Sequence, residues 1–449
     1  MTHLPLEQRF ADRMGQLLGP EFPSDLGLAV SGGGDSMAML TLAHNWTRSF
    51  GIRLWVVTVD HGLRDESAAE AAMVAEDCAR LGWPHATLRW QWDGTGNVQD
   101  AARRARLALI DRWRGNLKHV LFAHTADDQA ETVLMRLARG SGVDGLSGMR
   151  ACREVTPHPL VPPLLAAGQM TGQAPPRDQA CSGYRVLRPC LDMERAELRH
   201  YLSVLKGRWV DDPSNENRDF GRVRIRQLLN LLREEGVTTS VLSDTARRMA
   251  RARDGLTAHL VEAVRRLCVD APSGQLRIDR DGFAALDEET RLRLLTAGLQ
   301  YVTAAEYRPR AASSEALLDQ VLSGRGGTLH GAEVLVEKTH LRLLREESAV
   351  DGLSCGLDAL WDGQWRLSDP DGLLPANAAV RALGEDGWRQ IADRSGLALP
   401  FRAARALPSV WGDGMLLACP ELQVGPSVGL HRYVLGRPDT GFEAFCLSH

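Results

Sequence analysis

No two of the chain's eight cysteines (Cys78, Cys152, Cys181, Cys190, Cys268, Cys355, Cys419 and Cys446) form a C-x-x-C pair. That scatter argues against a cysteine-built zinc or iron–sulfur site and for a reducing compartment. Apolar runs of membrane-spanning length are also missing, since a bilayer needs roughly 20 such residues in a row. Residues 1–18 carry acids and read as a short amphipathic helix, unlike the apolar segment of a secretory leader. A cytoplasmic location is therefore expected. Global basicity is absent too: the formal net charge is −4. Any nucleic-acid surface must then be local. No repeat or low-complexity tract appears. At 449 residues and 44% hydrophobic content, the chain can build two or three domains with proper cores.

What is present centres on residues 28–40. The apolar run 26–30 ends in Ser31-Gly32-Gly33-Gly34-Asp35-Ser36, after which an amphipathic helical pattern begins. A strand, a tight loop and a helix start in that order form a cradle for phosphate. The glycines let backbone N–H groups turn inward, and the helix dipole adds partial positive charge. The common nucleotide loop needs Gly-Lys-Ser/Thr, and the lysine is missing here. The dinucleotide pattern G-x-G-x-x-G does not fit either. Ser-Gly-Gly-x-Asp-Ser after a strand instead resembles the pyrophosphate loop of the N-type ATP pyrophosphatases, which cleave ATP between the α and β phosphates.

From the loop onward, strand-like and helix-like stretches alternate. Strands are expected at 26–30, 54–59, 85–92, 119–123 and 184–187. Helices are expected at 37–50, 67–81, 97–113, 127–139 and 193–205. Such an alternation predicts a doubly wound parallel sheet, with ligands beyond the carboxyl ends of its strands. The second strand ends at Asp60-His61 and the fourth at His124, so polar residues gather at one edge with the phosphate loop. In His124-Thr125-Ala126-Asp127-Asp128-Gln129-Ala130-Glu131-Thr132, the acids fall three and four apart and can share a helix face. Acids in a first turn also serve as ordinary caps on the helix dipole. Near a triphosphate they suit Mg²⁺, with Asp35 and Asp127 the candidate ligands, or else the amine of an amino-acid substrate. His124 or a nearby carboxylate is a candidate base, and Arg103 and Arg106 are candidates for contact with phosphate or RNA backbone.

The second half is less specific. Residues 157–183 read as an irregular insertion rich in Pro, Gly and Gln. Residues 230–268 are helical in pattern, with Arg247, Arg248, Arg251, Arg253, Arg265 and Arg266 along them. That stripe is either a solvated face or an RNA-binding surface. Residues 347–356 look like a linker into a C-terminal module that holds Trp361, Trp365, Trp388 and Trp411. The expected division is 1–216 for the nucleotide-binding domain, 217–346 for a mainly helical domain and 347–449 for a small α+β domain.

Taken in order, Ser31–Ser36, Val59-Asp60-His61-Gly62-Leu63-Arg64, residues 97–106, 124–132 and 139–146, Arg188-Pro189, and Asp212-Pro213-Ser214-Asn215 followed by Arg222 and Arg226 resemble the tRNA(Ile)-lysidine synthase family. Two positions depart from the family's usual pattern, Asp100 in place of glutamate and Leu107 in place of an aromatic, and neither removes a charge. The resemblance implies an α/β PP-loop ATPase fold (adenine nucleotide alpha hydrolase-like) with appended domains for tRNA. It also implies an ATP-dependent ligase that joins L-lysine to C2 of the wobble cytidine, position 34, in the CAU anticodon of tRNA(Ile), through an adenylated intermediate. The lysidine so formed shifts codon reading from AUG to AUA. Ser31, Gly32, Gly33, Gly34, Asp35, Ser36, Asp60 and His61 would bind the nucleotide, with Mg²⁺. Asp35, Arg103, Arg106, His124, Asp127, Asp128 and Glu131 would carry the chemistry, and a homodimer is left open. A tRNA thiolase of the same superfamily is the alternative, and it would normally need paired cysteines. A glutamine-dependent synthetase would need an N-terminal nucleophilic cysteine, which is absent. A non-catalytic RNA-binding protein would have no use for the loop and the acids together.

Overall fold

The computed structural model describes residues 4–62, 66–92, 94–156, 165–166, 168–177, 183–211, 221–271, 273–357, 359–397 and 399–448. The Asp212-Pro213-Ser214-Asn215 motif, Leu63, Arg64, Arg218, Cys181 and most of 157–183 lie outside these residues. The described residues form two compact units, one within residues 4–253 and the other within residues 254–448. The boundaries expected after 216 and 346 fall inside the first and the second of these units.

The first unit runs α1 (Leu6–Leu18), β1 (Asp25–Ala29), α2 (Gly34–Phe50), β2 (Arg53–Asp60), α3 (Ser67–Leu81), β3 (His85–Arg89), α4 (Val98–Trp113), β4 (His119–Phe122), α5 (Ala126–Leu137), α6 (Val143–Leu146), β5 (Cys152–Val155), β6 (Met170–Gly172), β7 (Tyr184–Leu187), α7 (Arg195–Val204), α8 (Gly221–Glu234) and the first part of α9 (Thr239–Leu267). Among the described residues the sheet order is β5-β7-β4-β1-β2-β3-β6. The five inner strands are parallel, with Leu28 beside Val56 on one side and Leu121 on the other. The two edge strands run antiparallel. The doubly wound reading therefore holds for the centre of the sheet. The edges add two short strands that no clear period-2 pattern announces, and one of them lies in the stretch read as irregular.

Apolar alternation on the inner strands feeds two cores. On one face Leu26, Leu28 and Val56 pack with Phe10 and Met14 of α1, Met39 of α2, Val74 of α3 and Leu198 of α7. On the other, Val57, Val120 and Val186 pack with Leu109, Ile110 and Trp113 of α4. Helices on both faces leave the carboxyl ends of β1, β2 and β4 as the open edge, where polar side chains can gather. A third small core joins α5 to α8 and α9 through Ala130, Val133, Leu134, Leu229, Leu242 and Ala246.

The second unit is built on antiparallel sheets. β8 (Cys268–Asp270), β9 (Leu276–Asp279), β10 (Gly327–Leu329), β11 (Ala332–Val336) and β12 (His340–Arg345) form a sheet in the order β10-β11-β12-β9-β8. It packs on the helices Glu288–Thr303 and Ala311–Leu322. Two smaller sheets follow, around the buried Trp361, Trp365 and Trp411. The expected linker at 347–356 contains a short strand, Ser354–Gly356, that pairs with Ala379–Ala382. It is thus part of the C-terminal fold.

Candidate active site

β1 delivers the phosphate loop to the open edge. Val30 N–H still bonds Val57 O, so the chain leaves the sheet only at Ser31. Gly32 sits at φ +88°, which glycine enters without Cβ strain, and this turn aims the chain into α2. Gly33 is the extended N-cap, and the first N–H groups of α2 are left without a side-chain cap. Ser36 is buried and its hydroxyl knits the loop: it donates to Gly33 O at 2.9 Å and accepts from Ser31 N–H at 3.2 Å. Ser31 Oγ lies 3.2 Å from the same hydroxyl, on an exposed residue. Val210 clamps the other side, donating its N–H to Gly32 O at 3.0 Å. Arg199 and Trp209 press on Gly34, where an added Cβ would lie 3.2 Å from Arg199 Cγ.

The acids lie at the start of α5. Thr125 caps that helix, and Asp128 returns the favour: its Oδ2 accepts from Thr125 N–H at 2.9 Å and from Thr125 Oγ1 at 3.1 Å. Asp127 Oδ2 accepts the backbone N–H of Arg195 at 2.7 Å and so caps α7. Both aspartates therefore do serve as caps. The Arg195 side chain then reaches three carboxylates. Its Nε donates to Asp35 Oδ2 at 2.9 Å, while other guanidinium nitrogens lie 3.5 Å from Asp128 Oδ1 and 3.7 Å from Glu131 Oε1. Arg226 of α8 donates from Nε to the same Glu131 oxygen at 2.6 Å. One arginine thus joins the phosphate loop to the acid cluster.

The protonation states follow from burial and from these cations. Burial pushes the Asp35 carboxyl up, against the pull of Arg195, and it pushes Glu131 up, against the pull of Arg226. Burial also opposes the charge of Asp128, but Arg195, His124 and the Thr125 N–H outweigh it and hold this carboxyl below its ordinary range. Asp35 Oδ1 and Glu131 Oε2 are buried with no hydrogen-bond partner among the described residues. Two unpartnered carboxylate oxygens are unusual in a folded interior and suit a cation.

The histidines and arginines form a second group. His124 Nδ1 accepts from Arg188 Nε at 3.2 Å, and its ring stacks on Phe122 at 6.1 Å. Burial and Arg188 hold it well below the usual imidazole range, so it is neutral near pH 7 and already engaged at one nitrogen. His61, edge-on to Trp90, is pushed down to about 4 by burial and by Arg106. Asp60 is taken up by a turn, accepting from Gly62 N–H at 2.9 Å and Ser67 Oγ at 2.7 Å. Arg106 Nε is buried without a hydrogen-bond partner among the described residues, and Arg103 and Arg222 crowd its charge. Like charges collected around a buried guanidinium call for an anion.

Sequence reasoning missed Arg195 and Arg199. They stand four apart on α7, hence on one face, but nothing local says that this face turns toward the loop. Among the described residues, no group of three His, Cys, Asp or Glu side chains stands ready to hold a metal. Mg²⁺ commonly takes one or two carboxylates, with phosphate and water as its other ligands. Asp35 Oδ1 fits that role, whereas one Asp127 oxygen is already committed to the α7 cap.

The parallel centre of the sheet carries its glycine-rich loop at the open edge, and the family model for the PP-loop domain matches residues 6–232, which makes this a PP-loop protein. The tRNA(Ile)-lysidine synthase of Ruegeria pomeroyi is 39% identical over 401 residues, covering 89% of this chain and 88% of that protein. Its counterpart from Hyphomonas neptunium is 36% identical over 348 residues, covering 76% and 87%. A solved U34-tRNA thiolase from Methanococcus maripaludis overlays 56% of this chain and 78% of its own, at 14% identity and a TM-score of 0.40. The chain belongs to the tRNA(Ile)-lysidine synthase family and is a ligase with an ATP-using PP-loop domain.

Proposed function

We propose that this enzyme joins L-lysine to C2 of cytidine 34 in the CAU anticodon of tRNA(Ile), in the cytoplasm. The observation that carries the reading is Arg195, which gathers Asp35 from the phosphate loop with Asp128 and Glu131 from α5. Nucleotide and amine chemistry thereby share one site. The carbonyl oxygen on C2 is a poor leaving group. Attack of that oxygen on the α-phosphate of ATP forms a C2–O–P link and releases pyrophosphate into the loop of Ser31–Ser36. Arg103 and Arg106 offset the charge that develops on phosphate. The lysine ε-amine then attacks C2, the C2–O bond breaks, and AMP leaves with the oxygen. The amine must shed a proton, and Glu131 is the better acceptor: burial raises its affinity for a proton, whereas that of His124 is depressed. Mg²⁺, when bound with ATP, supplies charge neutralisation on the phosphates, and Asp35 would hold it.

In this reading residues 1–216 do the chemistry, while 217–346 and 347–449 hold the tRNA. The experiment is pyrophosphate release from ATP with each amino acid in turn, with and without a CAU-anticodon transcript. Release should need the transcript, and only lysine should drive turnover to AMP and modified tRNA. Turnover driven by another amino acid, or release indifferent to the transcript, would overturn the reading.

A further inference from the structure

Helix α8 lies on α5 through Leu229, against Ala130, Val133 and Leu134. Arg226 is one turn before Leu229, and Glu131 is one turn before Leu134, so the apolar contact sets the two charged side chains opposite each other. The resulting bond, Arg226 Nε to Glu131 Oε1 at 2.6 Å, is charge-assisted, and the Glu131 side chain is only 2% exposed. The charged groups facing Glu131 are Arg226 from α8, Arg195 from α7 and Asp128 from its own helix. Arg195 is divided among three carboxylates and lies farther away, at 3.7 Å. Arg226 therefore fixes the rotation of the carboxylate, and with Oε1 held, Oε2 is the oxygen left without a partner among the described residues.

We propose that Arg226 is a positioning residue for the amine-transfer half of the reaction, holding Glu131 by one oxygen so that the other faces the amine of the incoming amino acid. The proposal rests on the lysine-ligase reading above. Because α8 also carries Arg222 and Arg224, the same helix joins a basic surface to the carboxylate that receives the amine.

The test compares full-length wild type with Arg226→Gln and Arg226→Lys in two assays. One is tRNA-dependent pyrophosphate release without lysine; the other is lysine incorporation as a function of lysine concentration. Arg226→Gln should raise the lysine KM about tenfold or more, while lysine-free adenylation stays within about twofold of wild type. Arg226→Lys, which keeps the cation, should recover most of the loss. Equal losses in both assays, or a lysine variant no better than the glutamine one, would overturn the proposal. If Arg226→Gln does not fold, Arg226→Met takes its place under the same expectations: a raised lysine KM with adenylation near wild type supports the proposal, and matched losses in both assays refute it. A wild-type enzyme that ignores lysine would instead refute the underlying reading.

Discussion

Arg195 Nε stands 2.9 Å from Asp35 Oδ2, a contact that spans 160 positions and ties helix α7 to the phosphate loop. Without that guanidinium, the cations left to offset the cluster would be Arg199 for Asp35, Arg222 for Asp128 and Arg226 for Glu131. Each would then take up a proton more readily, because burial and like charge both disfavour the ionised form. Arg195→Met should lower kcat/KM for ATP in pyrophosphate release by about ten- to a hundredfold, the worth of one charged hydrogen-bonding group. Steady-state kinetics checks this. Wild-type kcat/KM in the variant would show that the arginine only fills space.

Gly32 makes a narrower prediction. At φ +88° it stands where an L side chain is strained, and its carbonyl receives the Val210 N–H. Gly32→Ala should cost roughly 1–3 kcal/mol of stability if the loop keeps its shape. If the loop relaxes instead, most ATP binding should go and the melting temperature should stay near wild type. Thermal melts paired with nucleotide titration separate the two cases, and a variant normal in both would mean that the turn imposes no constraint.

The inner strands were legible because each is a short apolar run bounded by polar turns, and 184–187 appears in the structure as β7 itself. Helix α3 likewise begins at Ser67 and ends at Leu81, its capping glycine following at 82. The loop and the acids were legible as motifs, since their spacing is local. What escaped is long-range. Arg195 meets Asp35 across 160 positions and Arg226 meets Glu131 across 95, and no local periodicity encodes either meeting. Geometry also adds what the loop motif does not show, that the Ser36 hydroxyl donates to Gly33 O.

His85 should leave a pH signature in stability. Its ring is packed beside Thr58, with Nε2 2.9 Å from Thr58 Oγ1, and burial pushes its pKa from 6.5 down to about 4. Between those values the unfolded chain holds the proton and the folded one does not. Stability from this group is therefore present above pH 6.5 and is lost as pH falls through the window toward 4. His61 and His119 are depressed to about 4 as well and add to the same slope. In urea titrations from about pH 7 down to about pH 4.5, His85→Gln should fall less steeply than wild type. Parallel curves would mean that His85 titrates alike in both states.

The basic stripe on α9 narrows once its ion pairs are considered. Arg247 pairs with Asp244, Arg253 donates to Ser147 Oγ at 2.9 Å, and Arg265 pairs with Glu443. A carboxylate offsets the charge that a phosphate would otherwise feel at Arg247 and at Arg265, and a hydrogen bond to a neutral hydroxyl holds Arg253 against Ser147, so these three are weaker candidates for RNA contact than the sequence suggests. Arg248 and Arg251 are exposed, three apart on the same helix face. Replacing both with glutamine should weaken binding of the tRNA and lower the slope of log K against log salt by about one unit for each phosphate no longer neutralised. ATP affinity should stay unchanged, because the phosphate loop is held by β1, α2 and the isolated bridge to Val210 rather than by α9. The same replacement at Arg247 should move the slope much less. A salt titration that gives equal slopes for wild type and the double variant would assign this face to solvent and leave tRNA binding to other surfaces.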